Sequence, residues 1–479
     1  MTNQQDVDAG QVCVLAPVGF EEHAVAENVF AGTAMARRAG YMYGAALERG
    51  PRGQVGAGLG QTTSTGTFTL IRPTVHVTET GQEEVVDGIR MRFQLAPHSE
   101  APAEMHIHFP DHRALCIAEN ATHTLHNILT IRGARVRDPH AWAGYLTEAI
   151  DLFANETEVA FAPHHWPTWG KDRVVEFLSL QRDLYAYLHD QTLRMLNQGL
   201  VGSEIAEHLQ LPPALENTWH TRGYYGSVSH NVKAIYQRYM GWYDGNPAHL
   251  WQYPPAEAAT RYLDFMGGAD ATVAKARRSY EAGDYRWVAE VMGHVVAAHP
   301  DHADARTLLA DAYEQLGYGS ENGTWRCAYL SGAHELRHGI FGTPVSGVSP
   351  DLIAQLAPEQ LFDALAIRIN GPRAWHEHLA VDVELTDTGQ RYRLRLANGV
   401  LTHSAAQQHT PADATLRVTR TALPKLTAGE ATPEALSDLG VEMDGDPSVL
   451  DRLLATLDSP DPNFAIVTRP PAACGDARA

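Results

Sequence analysis

The sequence predicts a multidomain protein in which an α/β part is followed by an all-α part and then an α+β part. Three observations carry this. The chain has 479 residues, and at about 150 residues per domain that makes about three domains. Its hydrophobic pattern changes twice, from short β-type runs to helical spacing at residue 166, then to strict alternation after residue 350. A linker rich in Gly, Pro and Ser at residues 339–350 marks the second change.

Residues 1–165 read as α/β. Strand-type runs occur at 12–15, 68–71, 91–95, 105–108 and 114–117. A helix-like stretch covers 21–46. The Gly-rich loop at 50–66 lacks the GxxxxGK[ST] spacing of a phosphate cradle. Residues 166–340 read as helical. Phe177, Leu180, Leu184 and Leu188 recur at steps of three and four, Gly199 follows as a stop, and Ser203 can cap a helix that ends before Pro212-Pro213. Between 270 and 316, Ala274, Tyr280, Gly283-Asp284-Tyr285, Pro300 and Tyr313 are placed roughly as in tetratricopeptide hairpins. Residues 350–470 read as α+β. Leu379, Val381, Val383 and Leu385 alternate with polar residues, as do Tyr392, Leu394 and Leu396, and Asn398-Gly399 is a two-residue hairpin signal. Helices are expected at 358–369 and 432–457, and the polar Pro/Ala tail is expected to be disordered.

Composition removes several functions. The formal net charge is −20, which opposes a nucleic-acid partner, because phosphate backbones need clustered Lys and Arg. No apolar run is long enough for a membrane-spanning helix. The start, Met1 to Asp6, has neither the basic nor the apolar region of a signal peptide, so the chain as it stands is expected in the cytoplasm. The four cysteines, Cys13, Cys116, Cys327 and Cys474, show no CxxC spacing. Histidine is enriched at 25 residues and grouped, which motivates a search for a metal site.

Three strings gather carboxylates and imidazoles: Glu100 to Glu104, Glu119 to Asn127, and His164-His165-Trp166-Pro167. Such donors suit zinc. A fourth string, His106-Ile107-His108-Phe109-Pro110-Asp111-His112, reads HxHxxDH. It alternates like a strand entering a Pro-Asp turn, so its histidines are expected to share a sheet face and not to converge on an ion.

Several long strings resemble one family: GFEEHAVAENVFAG (19–32), RRAGYMYG (37–44), SEAPAEM (99–105), ENATHTLHNILTIRGA (119–134), HHWPTWG (164–170) and TRGYYGSVSHNVKAIYQRYMGWYDGNP (221–247). They closely resemble alkylsulfatases of the SDS-degrading type, in the metallo-β-lactamase superfamily, and the resemblance runs through nearly the whole chain. It implies a partial metallo-β-lactamase (αββα) domain over 1–165, a helical dimerisation domain over 166–340, and a C-terminal domain like sterol carrier protein 2 over 350–470. It implies a homodimer that hydrolyses long-chain alkyl sulfates to alcohol and sulfate with a hydroxide activated by two Zn2+ ions. Glu100, Glu119 and His164 match the family's later metal ligands, with Glu119 bridging. Arg132, Arg222, Tyr224, Tyr225, His230 and Asn231 match a sulfate-binding set. His123, His126 and His220 are candidates for the acid that protonates the leaving alkoxide, and the terminal domain would offer an apolar groove for alkyl chains.

The family's HxHxDH motif lies ahead of the segment that matches residues 11–20. The chain is therefore expected to lack that motif, and an upstream leader would redirect it to the periplasm or outside the cell. Two rival readings follow: a catalytically inactive dimer with a lipid-binding C-terminal module, and another ester hydrolase of the same superfamily.

Overall fold

The computed structural model describes residues 4–64, 70–344, 350–405, 410–428 and 440–469. Parts of the strand expected at 68–71, the loop at 50–66, the linker at 339–350 and the helix at 432–457 lie outside the described residues, as does the tail from 470.

The first part contains two sheets. β1 (Leu15–Pro17) and β2 (Val75–Val77) form a parallel pair. β3 (Glu83–Val86), β4 (Ile89–Leu95), β5 (Met105–Phe109), β6 (Ala114–Cys116), β7 (Val159–Phe161) and β8 (Thr168–Trp169) form a six-stranded sheet in sequence order. Every neighbouring pair is antiparallel except β6–β7. Strands β4, β6 and β7 therefore run the same way, and their carboxyl ends share one edge. A parallel pair needs a long crossover. Here residues 117–158 supply it, including the helix Pro139–Phe153, whose Trp142, Leu146, Ala149 and Phe153 are fully buried.

The alternation of β5 buries His106 and His108 on one face. His106 bonds Gln94 and Asn120 through its two ring nitrogens, and His108 stacks on Phe153. His112 is exposed in the turn Pro110–His112. The HxHxxDH string is thus a hairpin, and its imidazoles do not meet.

Several expectations need correction. The stretch 432–457 is not one helix: among its described residues Glu442–Gly445 is a strand paired with Ala414–Val418, and Ser448–Ala455 is the helix. The stretch 21–46 is not one helix but two, Phe20–Phe30 and Gly32–Met42, broken at Ala31. The sheet does not stop at 165, because β8 pairs with β7 and closes it at Trp169.

The helix Lys171–Leu196 packs on Pro139–Phe153 and shares its core through Val174, Leu178, Leu184 and Leu188. Five further helices, Pro255–Met266, Ala269–Glu281, Tyr285–Ala298, Ala303–Tyr318 and Gly323–His338, surround Val288, Met292, Val295 and Leu309. The C-terminal part is a five-stranded sheet covered by the helices Pro358–Ile367 and Ser448–Ala455. Its second hairpin turns through Asn398 and Gly399, both at positive φ, as a type I′ turn requires. Between sheet and helices lies a small cavity of about 20 Å3, lined by apolar side chains such as Val381, Leu416 and Leu453.

Among the described residues no helix is long and apolar enough to cross a membrane. A belt of apolar side chains faces outward from residues 239–265, with Trp242 77%, Trp251 97% and Phe265 93% exposed. Tyr239 belongs to this belt. Tyr236 and Tyr243 are half-buried, and Tyr236 packs against Gly202.

Candidate metal centre

Residues that sit just past the carboxyl ends of co-directional strands are brought to one edge of a sheet. Glu100 follows β4, Glu119 follows β6 and His164 follows β7. One ligand atom each from Glu100, Glu119 and His126 lie within 4.8 Å of one another. The two oxygens of Glu119 are divided between imidazoles, Oε2 lying 3.0 Å from His126 Nε2 and Oε1 lying 2.9 Å from His164 Nε2. His126 Nε2 is also 3.8 Å from Glu100 Oε1. Non-glycine residues at positive φ flank all three strand-end donors: His98 near Glu100, Ala118 before Glu119 and His165 after His164. Such backbone costs about 1–3 kcal/mol per residue and persists where the surroundings fix it.

The cluster is held from behind by Arg137, which sequence reasoning missed. Arg137 donates to the carboxylate and the carbonyl of Glu100. Its Nη1 reaches Asn127 Oδ1 at 2.6 Å and Thr130 Oγ1 at 3.0 Å. The signal available was the basic run Arg132, Arg135, Arg137 in an acidic chain. Burial pushes the Glu119 carboxyl up, but the hydrogen bonds from His126 and His164 outweigh it and hold it well below the usual carboxylate range. The Glu119 contact raises His164. Glu104 is pushed up to about 8, first by burial and then by the Glu100 charge.

The segment 118–133 has no regular secondary structure, so partners elsewhere must fix it. Leu125 and residues 222–226 exchange two backbone hydrogen bonds, both 2.8 Å. This leaves no room for a side chain at Gly226, whose Cβ would stand 2.9 Å from Asn127 N. The Tyr225 ring lies 4.8 Å from the His126 ring, and its hydroxyl is 3.1 Å from that of Tyr43.

The remaining expected site residues divide. Arg132 lines a cavity of about 870 Å3 of empty space together with Glu100 and Arg137. Arg222 is exposed and paired with Glu321 at 2.9 Å, and Tyr224 packs on Trp219. The polar atoms of His230 and Asn231 are engaged by protein groups. His230 donates from Nε2 to Leu129 O at 2.5 Å and accepts at Nδ1 from Trp325 at 2.9 Å. Asn231 accepts from Ile128 N at 3.1 Å and donates to His126 O at 2.9 Å. Both are buried and act on the backbone that carries His126. His123 and His126, treated alike in the sequence, separate: His126 joins the carboxylates, while His123 packs against Trp166 and Phe177, with His220 nearby. Burial lowers His123 and His220 to about 4. Both are therefore neutral at pH 7 and carry no extra proton to donate.

Known proteins resemble this chain in sequence and in fold. The family model described as "Alkyl sulfatase dimerisation" matches residues 201–339, and the one described as "Alkyl sulfatase C-terminal" matches residues 346–469. A linear primary-alkylsulfatase from Pseudomonas sp. is 49% identical over 98% of this chain and 70% of its own length. The alkyl/aryl-sulfatase BDS1 of Saccharomyces cerevisiae is 45% identical over 98% of this chain and 72% of its own. The solved structure of the stereoselective inverting sec-alkylsulfatase Pisa1 from Pseudomonas sp. superposes with a TM-score of 0.93 at 42% identity, covering 97% of this chain and 74% of that one. The chain belongs to the alkylsulfatase family.

Proposed function

We propose that this chain carries the carboxylate side of a zinc centre that hydrolyses long-chain alkyl sulfates to alcohol and sulfate. The observation that supports this most is the convergence of Glu100, Glu119, His126 and His164 from widely separated parts of the sequence. Two carboxylates and two imidazoles form a donor set that fits zinc. Zinc bound there would acidify water and neutralise sulfate oxygens. The four donors suffice for one ion. The HxHxDH imidazoles that the family resemblance places upstream would serve a second.

The chain's own residues supply orientation and charge. Arg137 fixes Glu100, and the two imidazoles fix Glu119. Arg132 borders the Glu100 cavity and would take sulfate oxygens through its planar fork. Arg222 would exchange Glu321 for sulfate, with Tyr224 and Tyr225 beside it. Titrating the 479-residue chain with zinc by calorimetry should give about one ion bound per chain. Glu119→Ala should remove that binding, and binding unchanged in the variant would contradict the reading.

We read the six-stranded sheet and its parallel pair as part of an αββα domain, the helix pairs from 269 to 318 as tetratricopeptide-like hairpins, and the C-terminal domain as like sterol carrier protein 2. We read the exposed belt around Trp251 and Phe265 as the homodimer interface, since monomers rarely expose contiguous apolar surface on this scale. Trp251→Glu combined with Phe265→Glu should yield monomers by light scattering at micromolar concentration, where the parent chain gives dimers. A parent chain that is already monomeric there would contradict this reading.

A further inference from the structure

The helix Gly32–Met42 presents Gly32, Ala36, Ala39 and Gly40, followed by Tyr43, on one face, at steps of three and four residues. Across from this face run Leu47, Gln54 and Thr62 to Ser64, with Pro344 closing one side. The groove between them has a volume of about 440 Å3. Arg132 lines this groove and also the separate cavity that contains Glu100 and Arg137. Its Nη1 lies 3.4 Å from Met35 Sδ, in the middle of the same helix. At the other end, the Tyr43 hydroxyl meets Tyr225, whose ring covers His126. A floor of small residues and Met35 with the guanidinium groups of Arg49 and Arg132 at its margins, linked to the candidate metal cluster through Arg132 and through Tyr43 and Tyr225, matches a molecule with an apolar tail and an anionic head. The enclosed C-terminal cavity differs, for its lining is wholly apolar and holds no cation.

We propose that the groove along Gly32–Met42 receives the hydrocarbon tail of the alkyl sulfate while Arg132 holds its head, so that Ala36 and Ala39 set which tails are accepted. This rests on the sulfatase reading for the identity of the head. The glycines and alanines let the tail lie close to the helix backbone, and a larger side chain at either alanine would take up the space the tail needs.

The test uses non-hydrolysable alkanesulfonates with the chain as it is, by calorimetry below their aggregation concentrations. Affinity should rise from hexane- to octane- to decanesulfonate by up to about fourfold per methylene. Ala39→Phe should flatten that dependence and weaken octanesulfonate at least about tenfold, leaving methanesulfonate unchanged. Ala36→Leu, a smaller change, guards against a folding defect and should act in the same direction. Leu416→Phe, which takes up the small C-terminal cavity, should leave the dependence intact. If Leu416→Phe abolishes the dependence and Ala39→Phe does not, the tail sits in the C-terminal domain and the proposal is overturned. Chain-length dependence that survives both alanine variants overturns it as well. Arg132→Gln separates the underlying reading: if it weakens all sulfonates equally while Ala39→Phe has no effect, the head-group assignment stands and only the groove fails.

Discussion

Replacing Glu119 by alanine should lower zinc-dependent sulfate release from dodecyl sulfate by at least about a thousandfold, in protein supplied with an upstream HxHxDH segment. Both carboxylate oxygens are committed, one to His126 and one to His164. Removing them deprives a metal of its central ligand and leaves two imidazoles without the group that orients them. Loss of one preorganised electrostatic contact costs about 10²–10³ in rate, and loss of the metal removes more. Glu119→Gln keeps the shape but not the charge, and should fall almost as far. On the proposed reading the four donors would hold one ion, and turnover by the 479-residue chain alone should stay near background even with added zinc. Initial-rate assays of released sulfate check this, and a Glu119→Ala rate within tenfold of the parent would contradict it.

Replacing Glu335 by alanine should destabilise the protein by about 3–5 kcal/mol. Glu335 is fully buried, yet it accepts from Tyr41, from the backbone N–H groups of Ile466, Val467 and Thr468, and from the Thr468 hydroxyl. Arg37, also fully buried, completes the group by donating to Tyr41 OH at 3.2 Å and to Phe464 O at 2.8 Å. The segment 464–468 is thus tied to helices Gly32–Met42 and Gly323–His338, far from it in sequence. Truncating Glu335 would leave the Tyr41 hydroxyl and several N–H groups without an acceptor. Burial pushes the Glu335 carboxyl up, but the hydrogen bonds from Tyr41 and the strap outweigh it, so its folded value lies below the ordinary 4.5. A depressed carboxyl contributes stability that is present above its unfolded value and is lost as pH falls through the folded one. The parent should therefore lose this contribution progressively below about pH 4.5, and Glu335→Gln should lack that part of the acid dependence. Urea unfolding at pH 7 and pH 4 measures both effects. Equal stability of Glu335→Ala and parent at pH 7 would contradict the argument.

Period and turn chemistry made much of the fold legible. Alternation located β5, β6 and the strands of the C-terminal sheet, and Asn398-Gly399 located the turn of its second hairpin by taking the positive φ its residues favour. What escaped was what local pattern cannot hold. β3 reads Glu-Glu-Val-Val, and its charges hide a strand that only its partner β4 makes regular. The break at Ala31 falls inside a helix-forming composition. In the candidate site, resemblance singled out Glu100, Glu119 and His164, and the sheet explains their meeting through three co-directional strands. Nothing in the string Thr122-His123-Thr124-Leu125-His126 told its histidines apart. They are separated by Asn231 and Gly226, which lie about a hundred residues downstream and grip the His126 backbone. Arg137 escaped for the same reason: its role depends on a carboxylate from another strand end.

The most direct measurement is anomalous diffraction at the zinc absorption edge, on crystals of this chain equilibrated with zinc. The account predicts a peak at bonding distance, about 2.0–2.2 Å, from the Glu119 carboxylate and His126 or His164, with Glu100 beside it. A peak among His123, His165 and His220, or at the buried pair His106 and His108, with none at Glu119, would contradict it.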